Sequence, residues 1–117
     1  MLPPCPSSPN CVSTQATRRT HAIAPIPYRG SSTEAMDRIA AIIGSMPRAS
    51  IVERGPTSLR AEFRTRLFRF VDDVQFELDE AKRTIEFRSA SRIGHSDLGV
   101  NRKRMESIRA QFDAAAT

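Results

Sequence analysis

The chain has 117 residues, a hydrophobic share of 39%, a charged share of 26% and a formal net charge of +5. That length fits one domain, with enough apolar surface to fold without needing a metal or a disulfide. The composition is that of a soluble globular protein, and no apolar run approaches the roughly 18 residues of a membrane span. The longest, 39–43, belongs to an amphipathic helix.

The positive balance is almost entirely arginine, 16 residues against 2 lysines. Arginine recognises carboxylate and phosphate with a planar fork, so anion recognition stands beside codon bias as a reason for the skew. The N-terminus lacks the basic region and apolar stretch of a signal peptide. "MLPPC" resembles a lipoprotein cleavage site, but its prolines and the missing apolar stretch argue against that. The expectation is a cytoplasmic chain, where thiols are normally reduced.

Residues 1–20 are rich in Pro, Ser, Thr and Cys and read as an irregular arm, with one α+β domain over 21–117. "HAIAPIPY" (21–28) is too proline-rich for a central strand and suits a short edge strand or an extended crossing. A first helix is predicted over 32–46. Ser31 and Glu34 make a capping box, and Met36, Ile39, Ala40, Ile43 and Met46 recur at helical spacing until Pro47.

Four strands follow. "ASIVER" (49–54) ends at Gly55-Pro56. "TSLRAEFRTRL" (57–67) alternates, with Leu59, Ala61, Phe63 and Thr65 on one face. Phe68 and Phe70 then break the phase, which predicts a bulge or bend near Leu67-Phe68. "DVQFELD" (73–79) and "TIEFRSA" (84–90) form a hairpin around "DEAKR". Keeping apolar residues together pairs Leu78 with Ile85, Phe76 with Phe87 and Val74 with Ser89. That register sets Glu77 against Glu86 and brings Asp73 near Arg88 and Arg92. A last helix is predicted over 101–115, with Met105, Ile108, Phe112 and Ala115 as its apolar stripe. Arg102–Glu106 and Arg109–Asp113 are spaced to pair on its wet side. Arg104 lies beside the stripe and is expected to turn inward. The fold class is α+β: a twisted antiparallel sheet of about four strands packed by two helices.

Three stretches, "CPSSPNCVS" (5–13), "FVDD" (70–73) and "RSASRIGHSDLGVNRKR" (88–104), resemble the domain of unknown function 1499 family of bacteria and plastid-bearing eukaryotes. The resemblance runs from Cys5 to about Arg109. It implies no activity, cofactor or catalytic residue. Relatives often carry an N-terminal export or membrane segment, and often have tyrosine at the position of His95.

Several side-chain groups carry possible chemistry. Cys5 and Cys11 are compatible with a disulfide, with two semi-buried thiols, with a zinc set completed by His21 and His95, or with a nucleophile. Cys-x5-Cys is wider than usual zinc spacing, and no metal or cofactor is expected. Asp72 and Asp73 are adjacent on a strand, so they face opposite sides and suit polar pairing better than joint acid–base work. "RIGHSDLGVNRKR" has the parts of an anion site. Gly94 and Gly99 permit close approach, Ser96 and Asn101 are candidate caps, and a helix start carries Arg102, Lys103 and Arg104. A helix N-terminus disfavours cations, so the chain's own Asp97, Asp72 and Asp73 or an external anion must answer them.

The arginine face of the second strand (Arg60, Arg64, Arg66, with Arg69 beyond) lacks exposed interleaved aromatics, so nucleic acid is not expected. The leading expectation is a small binding module. Arg88, Arg92, Arg102, Lys103 and Arg104 would meet an anionic small molecule or an acidic protein surface. Asp72, Asp73, Ser96, Asp97 and Asn101 would orient them. The alternatives are a small enzyme using Asp72, Asp97 or His95 with an arginine, and a structural subunit or assembly factor of a larger complex.

Overall fold

The computed structural model describes residues 2–66, 70–94 and 96–115. Two helices and six strands follow one another as β1 (Cys11–Ser13), β2 (Ile26–Pro27), α1 (Ser32–Ser45), β3 (Ala49–Arg54), β4 (Ser58–Arg64), β5 (Val71–Asp79), β6 (Thr84–Ser91) and α2 (Val100–Ala115). All strands belong to one antiparallel sheet ordered β1-β6-β5-β4-β3, with β2 also pairing β6. The class is the expected α+β, and the strand count is six where about four were expected.

The hairpin register follows from side-chain alternation. Leu78 pairs with Ile85, Phe76 with Phe87 and Val74 with Ser89, so one face receives the whole apolar row. Glu77 does lie opposite Glu86. Leu59, Ala61 and Phe63 continue the row on β4. Both helices cover this face. Met36, Ile39 and Ile43 of α1 and Met105, Ile108 and Phe112 of α2 complete the core, whereas Ala115 is exposed at the helix end.

The two extra strands come from segments too short to show a period. β1 rises from the arm, pairs Cys11 with Ala90 and Ser13 with Arg88, and sends Val12 into the core. β2 is the proline-rich crossing, with Ile26 opposite Ile85 at the sheet edge. The arm therefore folds onto the domain. Leu2 is buried, and the Pro4 carbonyl accepts from Arg88 on the face opposite the helices. Cys5 and Cys11 are joined by a disulfide, Cα to Cα 5.8 Å.

At the opposite edge β3 exposes Ile51 and Val52, and its pairing with β4 shifts between Ile51 and Glu53. The bend expected near Leu67-Phe68 lies outside the described residues. Beside it, the Phe70 amide donates to the Thr65 hydroxyl at 2.8 Å.

The capping box at Ser31 is present in full, with the Glu34 amide donating to the Ser31 hydroxyl at 3.0 Å and the Ser31 amide to the Glu34 carboxylate at 3.2 Å. Ser31→Ala should cost about 1 kcal/mol in urea denaturation. Thr33→Ala, exposed on the same turn, should change stability by less than about 0.5 kcal/mol.

Candidate functional site: the start of the last helix

Two polar residues interrupt the inward row of the hairpin. Asp72 and Ser89 are both buried on the face that carries Val74, Phe76, Ile85 and Phe87. A buried carboxylate needs a charged, hydrogen-bonded partner. α2 supplies it. Arg104 donates to Asp72 at 2.7 Å, with the two side chains only 10% and 3% exposed. The same guanidinium donates to Asn101 Oδ1 at 2.9 Å and Ser89 Oγ at 3.2 Å, and lies 4.7 Å from the centroid of the Phe63 ring.

Asn101 extends this network to the loop and the arm. Its Oδ1 accepts the Ser89 hydroxyl at 2.6 Å. Its Nδ2 reaches Asp97 at 2.7 Å, Ser91 Oγ at 3.0 Å and the Asn10 carbonyl at 3.2 Å. Asn10, itself buried, donates to the Gly94 carbonyl at 2.8 Å. Sheet, helix, loop and arm thus meet in one hydrogen-bonded cluster.

Asp97 answers the free N–H groups of the helix start. Its carboxylate accepts from the Gly99 amide at 2.8 Å and the Asn101 amide at 3.1 Å. Partial burial disfavours its charge. The bonds from the Asn101 side chain and amide and from the Gly99 amide outweigh that and hold its pKa below the ordinary value. The capping role falls to Asp97 in place of Ser96 and Asn101. Among the described residues Ser96 Oγ accepts from the Leu98 amide alone, at 3.3 Å, and Asn101 is buried inside the first turn.

The remaining cations divide. Arg92 forks between Asp73, at 2.7 and 2.9 Å, and Glu62, at 2.6 Å, and these bonds raise its pKa. Arg88 lies under the arm. Burial lowers its pKa against the pull of Asp73, its Nη2 donates to the Pro4 carbonyl at 3.2 Å, and its buried Nε has no partner among the described residues.

Arg102 and Lys103 form no ion pair among the described residues. Arg102 donates to the Thr20 carbonyl at 3.3 Å and not to Glu106, which pairs with Arg109 at 2.8 Å. Arg109 in turn holds the Pro25 carbonyl at 3.0 Å in place of the expected Asp113. Beside Arg102 opens a shallow groove of about 440 Å³. Arg19 and Thr20 of the arm line it together with Ser96, Asp97, Gly99 and Arg102. Nothing in the sequence points to Arg19, Asn10 or Ser91 here. Asn10 sits in a proline–serine stretch that reads as a turn, and Arg19 carries no pattern.

Other expected chemistry has other placements. Asp72 and Asp73 face opposite sides of the sheet, toward Arg104 and Arg92. The cysteines are bonded to each other, and His21 Nε2 lies 2.9 Å from the Ser8 carbonyl. His95 lies outside the described residues. Among the described residues no group of three His, Cys, Asp or Glu side chains is placed to hold a metal. A larger groove of about 800 Å³ separates residues 2–7 of the arm from 13–21 and contains none of the cations of the last helix. On the strand face, Arg60 pairs with Glu53 at 3.5 Å and Arg64 with Glu62 at 3.6 Å, while Arg69 lies outside the described residues.

Replacing one member of the buried pair strands the other. Arg104→Met should cost about 3–5 kcal/mol in chemical denaturation, and the double variant Asp72→Leu with Arg104→Met should lose clearly less. The lowered pKa of Asp97 also has a sign. Its folded value lies below the unfolded one, so its stabilisation is present above the ordinary 3.8 and is lost as pH falls through the folded value. Asp97→Asn should therefore flatten the pH dependence of stability in that acid window and leave the slope near neutrality unchanged.

A search of curated proteins finds no match to the chain. The family model described as protein of unknown function (DUF1499) matches residues 1–112, nearly the whole chain, and the protein belongs to that family.

Proposed function

We propose that the protein is a small binding module that takes an anionic group, or the acidic surface of a partner, at the start of α2. The observation that carries this reading is the division of the cations there. Arg104 is consumed by Asp72, Arg92 by Asp73 and Glu62, and Arg88 is held beneath the arm. Arg102 and Lys103 stand at a helix start without an internal carboxylate partner among the described residues, and Arg19 lines the same groove as Arg102. An arrangement that is unfavourable alone becomes favourable when an anion arrives.

Binding is favoured over proton transfer because Asp72 and Asp97 are both committed to internal donors. The disulfide supports a compartment that keeps thiols oxidised, unlike the cytoplasm expected from the N-terminus. The exposed β3 edge, with Ile51 and Val52, favours a second reading: a subunit that adds to another sheet in a larger complex.

Calorimetric titration with inorganic phosphate and with polyglutamate tests the first reading. Wild type should bind at least one of them, more weakly as salt rises. Arg102→Ala with Lys103→Ala should weaken that binding about tenfold, the loss of one to two charge-assisted contacts. Arg60→Ala with Arg64→Ala, on the outer sheet face, should leave it unchanged. Equal binding by the Arg102/Lys103 variant, or no binding by wild type, overturns the reading.

A further inference from the structure

Apolar side chains stand exposed in the loop that leads to Arg102 and Lys103. Leu98 is 86% exposed at the tip of the loop that enters α2, held there at φ +54°. Val100 follows it, also exposed. Ile93 is exposed at the other end of the loop, just past the Arg92 amide, which donates to the Val71 carbonyl at 3.1 Å. Asn10 ties the two ends of the loop together, donating to the Gly94 carbonyl and accepting from Asn101. Ile93, Leu98 and Val100 are thus the exposed apolar side chains of one loop, its crest, whose two ends Asn10 holds and which leads into the helix turn that carries Arg102 and Lys103.

We propose that this crest docks on an anionic lipid surface, its apolar side chains entering the acyl boundary while Arg102 and Lys103 meet headgroup phosphates. This rests on the anion reading above and names its source. Charge complementarity favours it. The cations follow the apolar tip in the first helical turn, the chain carries +5 overall, and the acids flanking them in sequence, Asp97 and Glu106, are engaged by Asn101 and Arg109. An apolar insertion and a basic flank are the two weak signals that together give reversible membrane adsorption.

A second copy is disfavoured, because a two-fold contact would bring both sets of Arg102 and Lys103 together. A protein partner is less well matched. Protein hot spots favour Trp and Tyr over Leu and Val; this chain has no Trp and its single Tyr28 is buried.

Co-sedimentation tests it with vesicles of phosphatidylcholine alone and of phosphatidylcholine mixed with phosphatidylglycerol. The full chain should sediment with the mixed vesicles and not with phosphatidylcholine alone. Leu98→Ser should weaken that association about tenfold or more, the loss of one largely inserted leucine side chain. Arg102→Ala with Lys103→Ala should weaken it about thirtyfold, at about 1 kcal/mol for each basic residue. Circular dichroism of the variants should match wild type, since Leu98 and Lys103 are exposed and Arg102, half-buried, has no carboxylate partner among the described residues.

If Leu98→Ser sediments as wild type does, adsorption is by charge alone and the crest proposal is overturned. If mixed vesicles fail while phosphate or polyglutamate still binds through Arg102, the lipid proposal falls and the anion reading stands. Selective binding of polyglutamate would then point to an acidic protein. If none of these probes binds, both fall together.

Discussion

The buried Asp72–Arg104 pair is the contact on which the rest of the arrangement depends. A carboxylate in the inward row of a sheet is costly unless something cationic reaches it, and only a side chain from the covering layer can do so. That requirement fixes where α2 lies and how it is turned. Arg104 must point into the sheet, which leaves Met105, Ile108 and Phe112 in the core and Lys103 outside. The position of one ion pair thus sorts the cations of "NRKR" into one that is internal and two that face outward.

The network around the pair gives the arrangement its specificity. Asn101 joins Arg104, Ser89, Ser91, Asp97 and the Asn10 backbone, so the sheet, the helix, its entry loop and the N-terminal arm share one set of hydrogen bonds. Such a cluster tolerates little rearrangement, because any member that leaves strands a buried polar group. On the opposite face of the sheet, Arg92, Asp73, Glu62 and Arg64 form a solvent-side lattice of exposed or half-exposed pairs. Exposed pairs contribute little to stability. Their consequence here is to occupy arginines that the sequence alone would leave available.

Much of the fold is legible in the residues. Alternation on the long strands sets the β5–β6 register because a slip of one residue would expose Phe76 and Phe87. The Ser31–Glu34 capping box and the apolar stripes place both helices to within a residue. β1 is illegible because three residues have no period, whereas β2 falls within 21–28, where the prolines already limit the chain to a short edge strand or an extended crossing. The site is legible only by halves. The inward turn of Arg104 follows from its place beside the stripe. The role of Asn101 does not, because a polar residue at a helix start reads as a cap. Its burial depends on Ser89, Ser91 and Asn10 arriving from three other segments. Asp72 and Ser89 did carry a signal: polar residues at inward positions of paired strands imply a buried partner.

Side-chain nitrogen NMR of the arginines during titration with inorganic phosphate tests most directly the division of cations at the start of α2. The Arg104 Nε–H signal should be protected from solvent exchange and unmoved by phosphate, while the Arg102 signal exchanges quickly and shifts as phosphate is added. An Arg104 signal that exchanges as fast as that of Arg102, or that shifts in parallel with it, would contradict the account.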